Sequence, residues 1–129
     1  MTEQDRNKQL VRDFYRHVFD ARNADAVPDF VAHDYIQHCD HIPPGRDGLQ
    51  QFVRMIFPEG PVETPPEMLR PPVFILAEDD LVVICGYAPQ PEPDLPGQTY
   101  DYYLFDAYRI ANGKLAEHWS GVNKIALPR

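Results

Sequence analysis

The dipeptide Asn112-Gly113 constrains this chain more than any other feature. It joins two β-prone runs, Tyr100–Ile110 and Lys114–Asn123. Both of its residues tolerate the positive φ of a type I′ turn, so the segment predicts a tight hairpin. The arms of that hairpin carry ionisable groups, and the turn can hold Asp106 near His118 and Ser120. An acid and an imidazole within an otherwise apolar sheet can form a small acid–base pocket.

The rest of the chain supplies helices to cover such a sheet. Leu10, Val11, Phe14, Tyr15, Val18 and Phe19 recur at helical spacing, with Arg12, Asp13 and Arg16 opposite. Thr2 can cap that helix, and Asp5 approximates a capping box. Asp25 can cap a short second helix carrying Val27, Phe30 and Val31, with Pro28 tolerated in its first turn. Tyr35–His38 reads as a short strand and Ile42–Asp47 as a loop. A third helix, capped by Asp47, carries Leu49, Phe52, Val53, Ile56 and Phe57. Pro58–Pro72 is too proline-rich for regular structure, although Met68 and Leu69 within it can cover apolar surface. Val73–Ala77 and Leu81–Tyr87 flank the turn Glu78–Asp80, and a second proline-rich loop runs from Pro89 to Gly97. Helices first and a meander afterwards indicate one α+β domain spanning 1–129, with helices packed on one face of a curved antiparallel sheet.

Charge narrows the partners. The chain has 12 basic and 20 acidic residues, a net charge of −8. That balance, without a Lys/Arg cluster, argues against nucleic acid and against an anionic membrane surface. No segment has the pattern of a signal peptide or the roughly 18 apolar residues of a membrane span, so a cytoplasmic location is expected. Cys39 and Cys85 are then two free thiols.

Several segments fall together in order: Tyr35-Ile-Gln-His38, Pro44-Gly45, Glu78-Asp-Asp-Leu-Val-Val83, Tyr108-Arg-Ile-Ala-Asn-Gly-Lys114 and Glu117-His-Trp119. This set, spread over roughly Lys8 to Val122, resembles the SnoaL-like polyketide cyclases of the superfamily named for nuclear transport factor two. The resemblance implies a cone-shaped α+β barrel, with three helices against a bent sheet around a deep apolar cavity. It also implies a homodimer and no metal or cofactor. In the cyclases, an aspartate just after the His-Trp pair is the general acid/base, and this chain has Ser120 there. Asp106 matches a second polar pocket position on the preceding strand. The superfamily also holds isomerases, epoxide hydrolases, dehydratases and non-catalytic binders, so fold alone does not fix the reaction.

Strand alternation places Tyr102, Leu104, Asp106 and Tyr108 on one face, and Ala116, His118, Ser120 and Val122 on another. If those faces coincide, they line one cavity; a one-residue slip or a bulge would swap the faces. On that reading Asp106 is a base for a proton next to a carbonyl, with His118 and a tyrosine, Tyr102 or Tyr108, as donors. His38 and Ser120 orient the substrate, and Tyr15, Tyr35 and Tyr108 complete the expected binding set. The substrate is a small, apolar or aromatic carbonyl compound. The alternatives are a binding module with no chemistry, and a hydrolase in which Asp106 and Ser120 hold a water. A structural reading pairs Asp106 with Arg109 or Lys124. His38-Cys39-Asp40-His41, joined by His118, is the one grouping that suggests a metal, but its spacing is not that of a zinc site. Tyr103 faces the other side, and His17 and His33 read as helix-surface residues.

Overall fold

The computed structural model describes residues 1–121, 123 and 124. Helix α1 spans Glu3–Phe14 and opens with a capping box, Thr2 and Asp5 bonding reciprocally. It continues into a π-helical turn, Tyr15–Asp20, whose wider spiral keeps both Phe14/Val18 and Tyr15/Phe19 on the inner side. Such insertions recur at functional sites. A single 3₁₀ turn, Ala24–Ala26, leads into the short α2, Val27–Phe30. Asn23, not Asp25, caps this segment, its side chain accepting from the Asp25 amide.

Strand β1 runs over Val31–Gln37, longer than the sequence suggests and with Val31 and His33 in it rather than in a helix. Helix α3, Gly45–Ile56, starts after Pro44, so Asp47 sits in its first turn instead of capping it. Phe57 lies beyond its end and Ile56 is exposed; Leu49 and Val53 are its buried residues. The segment from Pro58 to Pro72 is irregular. Then follow β2 (Phe74–Glu78), β3 (Leu81–Tyr87), a minor pair β4 (Gln90–Pro91) and β5 (Thr99–Tyr100), β6 (Tyr103–Ala111) and β7 (Lys114–Ser120). Asn112 and Gly113 both have positive φ, as the hairpin requires.

The main sheet has the order β1-β7-β6-β3-β2. Three of its pairings are antiparallel, but β1 lies parallel to β7, a correction to a purely antiparallel sheet. The sheet is curved and not closed. Helix α1 packs on β2 and β3 and α3 on β1, burying Val11, Phe14, Val53, Val82 and Leu115. No helix of the described residues is long and apolar enough to cross a membrane.

The β6–β7 ladder carries one irregularity with large consequences. Arg109 pairs with Glu117 while Ile110 pairs with Leu115, leaving Ala116 as an extra residue. Leu115 and Ala116 are consequently both buried, although they are neighbours on one strand. Beyond this bulge Tyr108 lies opposite His118 and Asp106 opposite Ser120. The two candidate faces therefore coincide for the described residues; Val122, assigned to the same face, lies outside them.

Candidate active site

Asp106 sits at the centre of a hydrogen-bonded chain on the inner face of the sheet. Its Oδ1 lies 2.8 Å from His118 Nε2, and its Oδ2 accepts from the Tyr15 hydroxyl at 3.1 Å. Tyr15 and Tyr108 hydroxyls are 2.8 Å apart, and the Tyr108 ring stacks on the His118 imidazole at 4.7 Å. Since Tyr15 gives its one proton to Asp106, Tyr108 is the donor between the phenols. The acid–imidazole pair is largely buried, with side chains 13% and 7% exposed.

The other ring nitrogen fixes the proton count. His118 Nδ1 is 2.7 Å from Gln37 Oε1, and that same oxygen accepts from the Cys39 backbone N–H at 3.1 Å. A backbone N–H can only donate, so this end of the amide is its oxygen, and His118 Nδ1 must carry a proton. The 2.8 Å bond from Nε2 to Asp106 then needs a further proton, held on the imidazole or on the carboxyl. Either way the pair holds one transferable proton and is neutral overall.

The phenols around it are donors, not bases. Burial, followed by the Asp106 charge, pushes the Tyr15 hydroxyl well above its ordinary value. Tyr108 is raised in the same direction by burial and then by Tyr15. Tyr35 is buried and also raised, chiefly by burial, and its hydroxyl accepts from the Gln37 side-chain nitrogen. Burial raises the Cys39 thiol, offset in part by the Ser120 hydroxyl, so it does not present a ready thiolate.

A cavity of about 380 Å³ opens onto this chain, lined by Tyr15, Tyr35, Tyr102, Tyr108, His118 and Ser120 among others. Gln37, Cys39 and His41 also face it. A second lobe of about 330 Å³ shares Tyr15, Phe19, Leu104 and Asp106 with the first. Asp106 thus stands at the junction of the two.

The structure brings together Asp106, His118, Tyr15, Tyr35, Tyr108 and Ser120. Tyr102 lines the same cavity, but the phenol bonded to Asp106 is Tyr15, which corrects the choice of Tyr102 as the neighbouring donor. His38 is not in the cavity. Strand β1 turns Tyr35 and Gln37 inward, so His38 points outward, bonds Glu117 at 2.6 Å and stacks on Trp119 at 5.2 Å. Gln37 takes the inward position expected of His38 and bonds His118. Its signal was available in the two-residue alternation from Tyr35. The pairing of Asp106 with Arg109 or Lys124 is also absent, since Glu117 engages Arg109 and Glu92 engages Lys124. His38 and His118 lie on opposite faces, and no group of three metal-ligating side chains forms among the described residues.

A model of the SnoaL-like domain matches residues 11–118. The chain belongs to that SnoaL-like family. Solved structures of the same fold include an NTF2-like protein of unknown function from Burkholderia pseudomallei, at 19% identity and TM-score 0.64 over 95% of this chain and 92% of that one. A candidate polyketide cyclase from Acidithiobacillus ferrooxidans aligns at 20% identity and TM-score 0.63, over 93% and 89% of the two chains. An LEH-like epoxide hydrolase from M. tuberculosis aligns at 10% identity and TM-score 0.63, over 92% and 84%. No curated protein matches. At these identities the likeness shows the fold of the SnoaL-like chain and leaves its reaction to the site.

Proposed function

We propose that this SnoaL-like protein is a cofactor-independent acid–base enzyme acting on a small, largely apolar carbonyl compound. The observation that carries the reading is the proton-bearing Asp106–His118 pair, bonded to a phenol and buried at the wall of an apolar cavity. Asp106 Oδ2 takes the proton from the carbon next to the carbonyl, the C–H electron pair becomes the enolate C=C bond, and the carbonyl π pair moves onto oxygen. Tyr15, released from Asp106, donates a hydrogen bond to that oxygen, with Tyr108 donating to Tyr15 in turn. The His118 imidazolium balances the enolate's charge. Returning the proton to another carbon completes an isomerisation. Attack of the enolate carbon on a second carbonyl closes a ring, the new alkoxide taking back the proton that Asp106 holds; where a β-hydroxyl leaves instead, it takes that proton and departs as water.

The test is hydrogen exchange in D₂O against a panel of cyclic ketones and enones. The protein is expected to load deuterium at the carbon next to the carbonyl, and Asp106→Asn to abolish this. Absence of exchange across the panel would favour the second reading, a binding module. That reading is supported by Ser120 standing where the cyclases have an aspartate, and by both Asp106 oxygens being already bonded. In the hydrolase reading the Ser120 hydroxyl, which donates to the Gly121 carbonyl, would hold the water as an acceptor.

A homodimer and a reducing, cytoplasmic setting complete the proposal. The outer face of the sheet supports the first, with Phe74, Leu76, Tyr103, Phe105 and Trp119 exposed on paired strands. The free Cys39 and Cys85 support the second.

A further inference from the structure

The second lobe has polar groups that the chemistry above does not use. Arg22 and Arg70 line it on its solvent-exposed side, and its walls are otherwise mainly apolar, with Phe57, Met68 and Ile84 among them. Among the described residues neither guanidinium has a hydrogen bond or an ion pair. Arg22 instead lies over the Phe57 ring, 5.6 Å from its centroid, and both residues line this lobe.

Arg22 is also held in a backbone conformation that its residue type disfavours. It follows the helix end with φ 54°, and the bonds from Asn23 N to Val18 O and from Arg22 N to Phe19 O form a Schellman cap. Glycine is the usual residue at that position, because a side chain there is strained. The backbone here packs closely on Gly60, where a Cβ would lie 2.0 Å from the Arg22 carbonyl oxygen. A long cation, not a glycine, thus occupies the cap.

Charge bookkeeping in this lobe differs from that of the chain. Its charged lining groups are Asp20, Arg22, Arg70 and Asp106. Asp106 is matched by His118, and one Asp20 oxygen accepts from the Leu69 amide. One net positive charge therefore remains on the exposed side of an apolar lobe, in a chain of net −8.

We propose that this lobe seats an anionic oxygen group, a carboxylate or a phosphate, carried at one end of an otherwise apolar ligand. Arg22 and Arg70 take the anion on the exposed side, and the apolar body runs inward toward Asp106. Taking Asp106 as the reacting end rests on the acid–base reading; the anion seat itself does not.

The experiment is calorimetric titration of the intact protein with octanoate, octyl phosphate and octan-1-ol. At low salt, octanoate or octyl phosphate is expected to bind about tenfold tighter than the alcohol, with the preference shrinking as salt rises. Whichever anion gains identifies the head group. In Arg22→Gly/Arg70→Gln the preference is expected to vanish. Arg22→Gly alone relieves the strained cap and is expected to raise the melting temperature, so lost binding is not lost folding. No anionic preference, or a preference that survives in the double variant, overturns the proposal. Deuterium exchange of uncharged ketones, measured alongside, separates the two readings. Exchange without anionic preference refutes the anion seat alone, and anionic preference without exchange refutes the acid–base reading alone.

Discussion

Replacing Asp106 by Asn and by Leu separates its structural from its chemical role. The carboxylate accepts from Tyr15 at 3.1 Å and meets His118 Nε2 at 2.8 Å, with its side chain 13% exposed. Asparagine can keep both contacts. Its oxygen accepts from Tyr15, and its NH₂ donates to His118 Nε2, which is bare because Gln37 holds the ring proton on Nδ1. Charge-assisted bonds contribute roughly 1.5–3 kcal/mol and neutral ones roughly 0.5–1.5 kcal/mol, so the exchange costs about 1–1.5 kcal/mol for each bond. Leucine keeps neither contact and leaves His118 and Tyr15 facing an apolar group, at a cost of about 3–5 kcal/mol. Urea unfolding is expected to show this order, with a smaller midpoint shift for Asn than for Leu. Deuterium exchange is expected to fall by a factor of about 10²–10⁴ in Asp106→Asn, since an amide cannot take up the proton. Equal destabilisation by Asn and Leu would refute the proton assignment. Exchange by Asp106→Asn within threefold of the unaltered protein would refute Asp106 as base.

Gln37→Leu is expected to free His118 Nδ1 and orphan the Cys39 amide, costing about 1–3 kcal/mol in urea unfolding. The His118 nitrogen-15 shifts are expected to change with it, and unchanged shifts would exclude Gln37 as the group that sets the ring's proton. Glu117 is held below its ordinary 4.5, first by the bond from His38 and then by Arg109. A depressed carboxyl stabilises the fold above its ordinary value and loses that contribution as pH falls through the folded one. The stability gap between the unaltered protein and Glu117→Gln is therefore expected to narrow below about pH 4.5. Phe105→Glu, on the exposed outer face of β6, is expected to give a monomer in light scattering, and an unshifted dimer would place the interface elsewhere.

Much of the fold is legible in local pattern. The apolar spacing from Leu10 to Phe19, the Thr2–Asp5 capping box and the Asn112-Gly113 turn act over a few residues, so the sequence states them directly. The limits of local signals show where two elements compete. Val31 fits a helical stripe as well as a strand, and pairing with Leu115 of β7 decides for the strand. His38 and Gln37 are adjacent; alternation gives Gln37 the face of Tyr35, and the pairing of β1 with β7 makes that face the inner one. Tyr15 is expected in the binding set from the sequence, but its bond to Asp106 is not. It reaches Asp106, 91 residues away, only because the helix packs across the sheet.

The sequence by itself determined the elements, the hairpin turn and the residue types available for acid–base work. It did not determine whether Asp106 and His118 share a face. A two-residue Asn112-Gly113 loop extended in regular register pairs Ala107 with His118 and sends the imidazole to the outer side. The extra residue at Ala116 shifts the ladder so that Tyr108, and not Ala107, lies opposite His118. Side chains alternate with period two, so one added residue reverses every side chain beyond it. Burial of both Leu115 and Ala116 accompanies that shift, and it depends on the helices and strands packed around them. The acid and the imidazole are written in the sequence; the contact between them belongs to the tertiary structure.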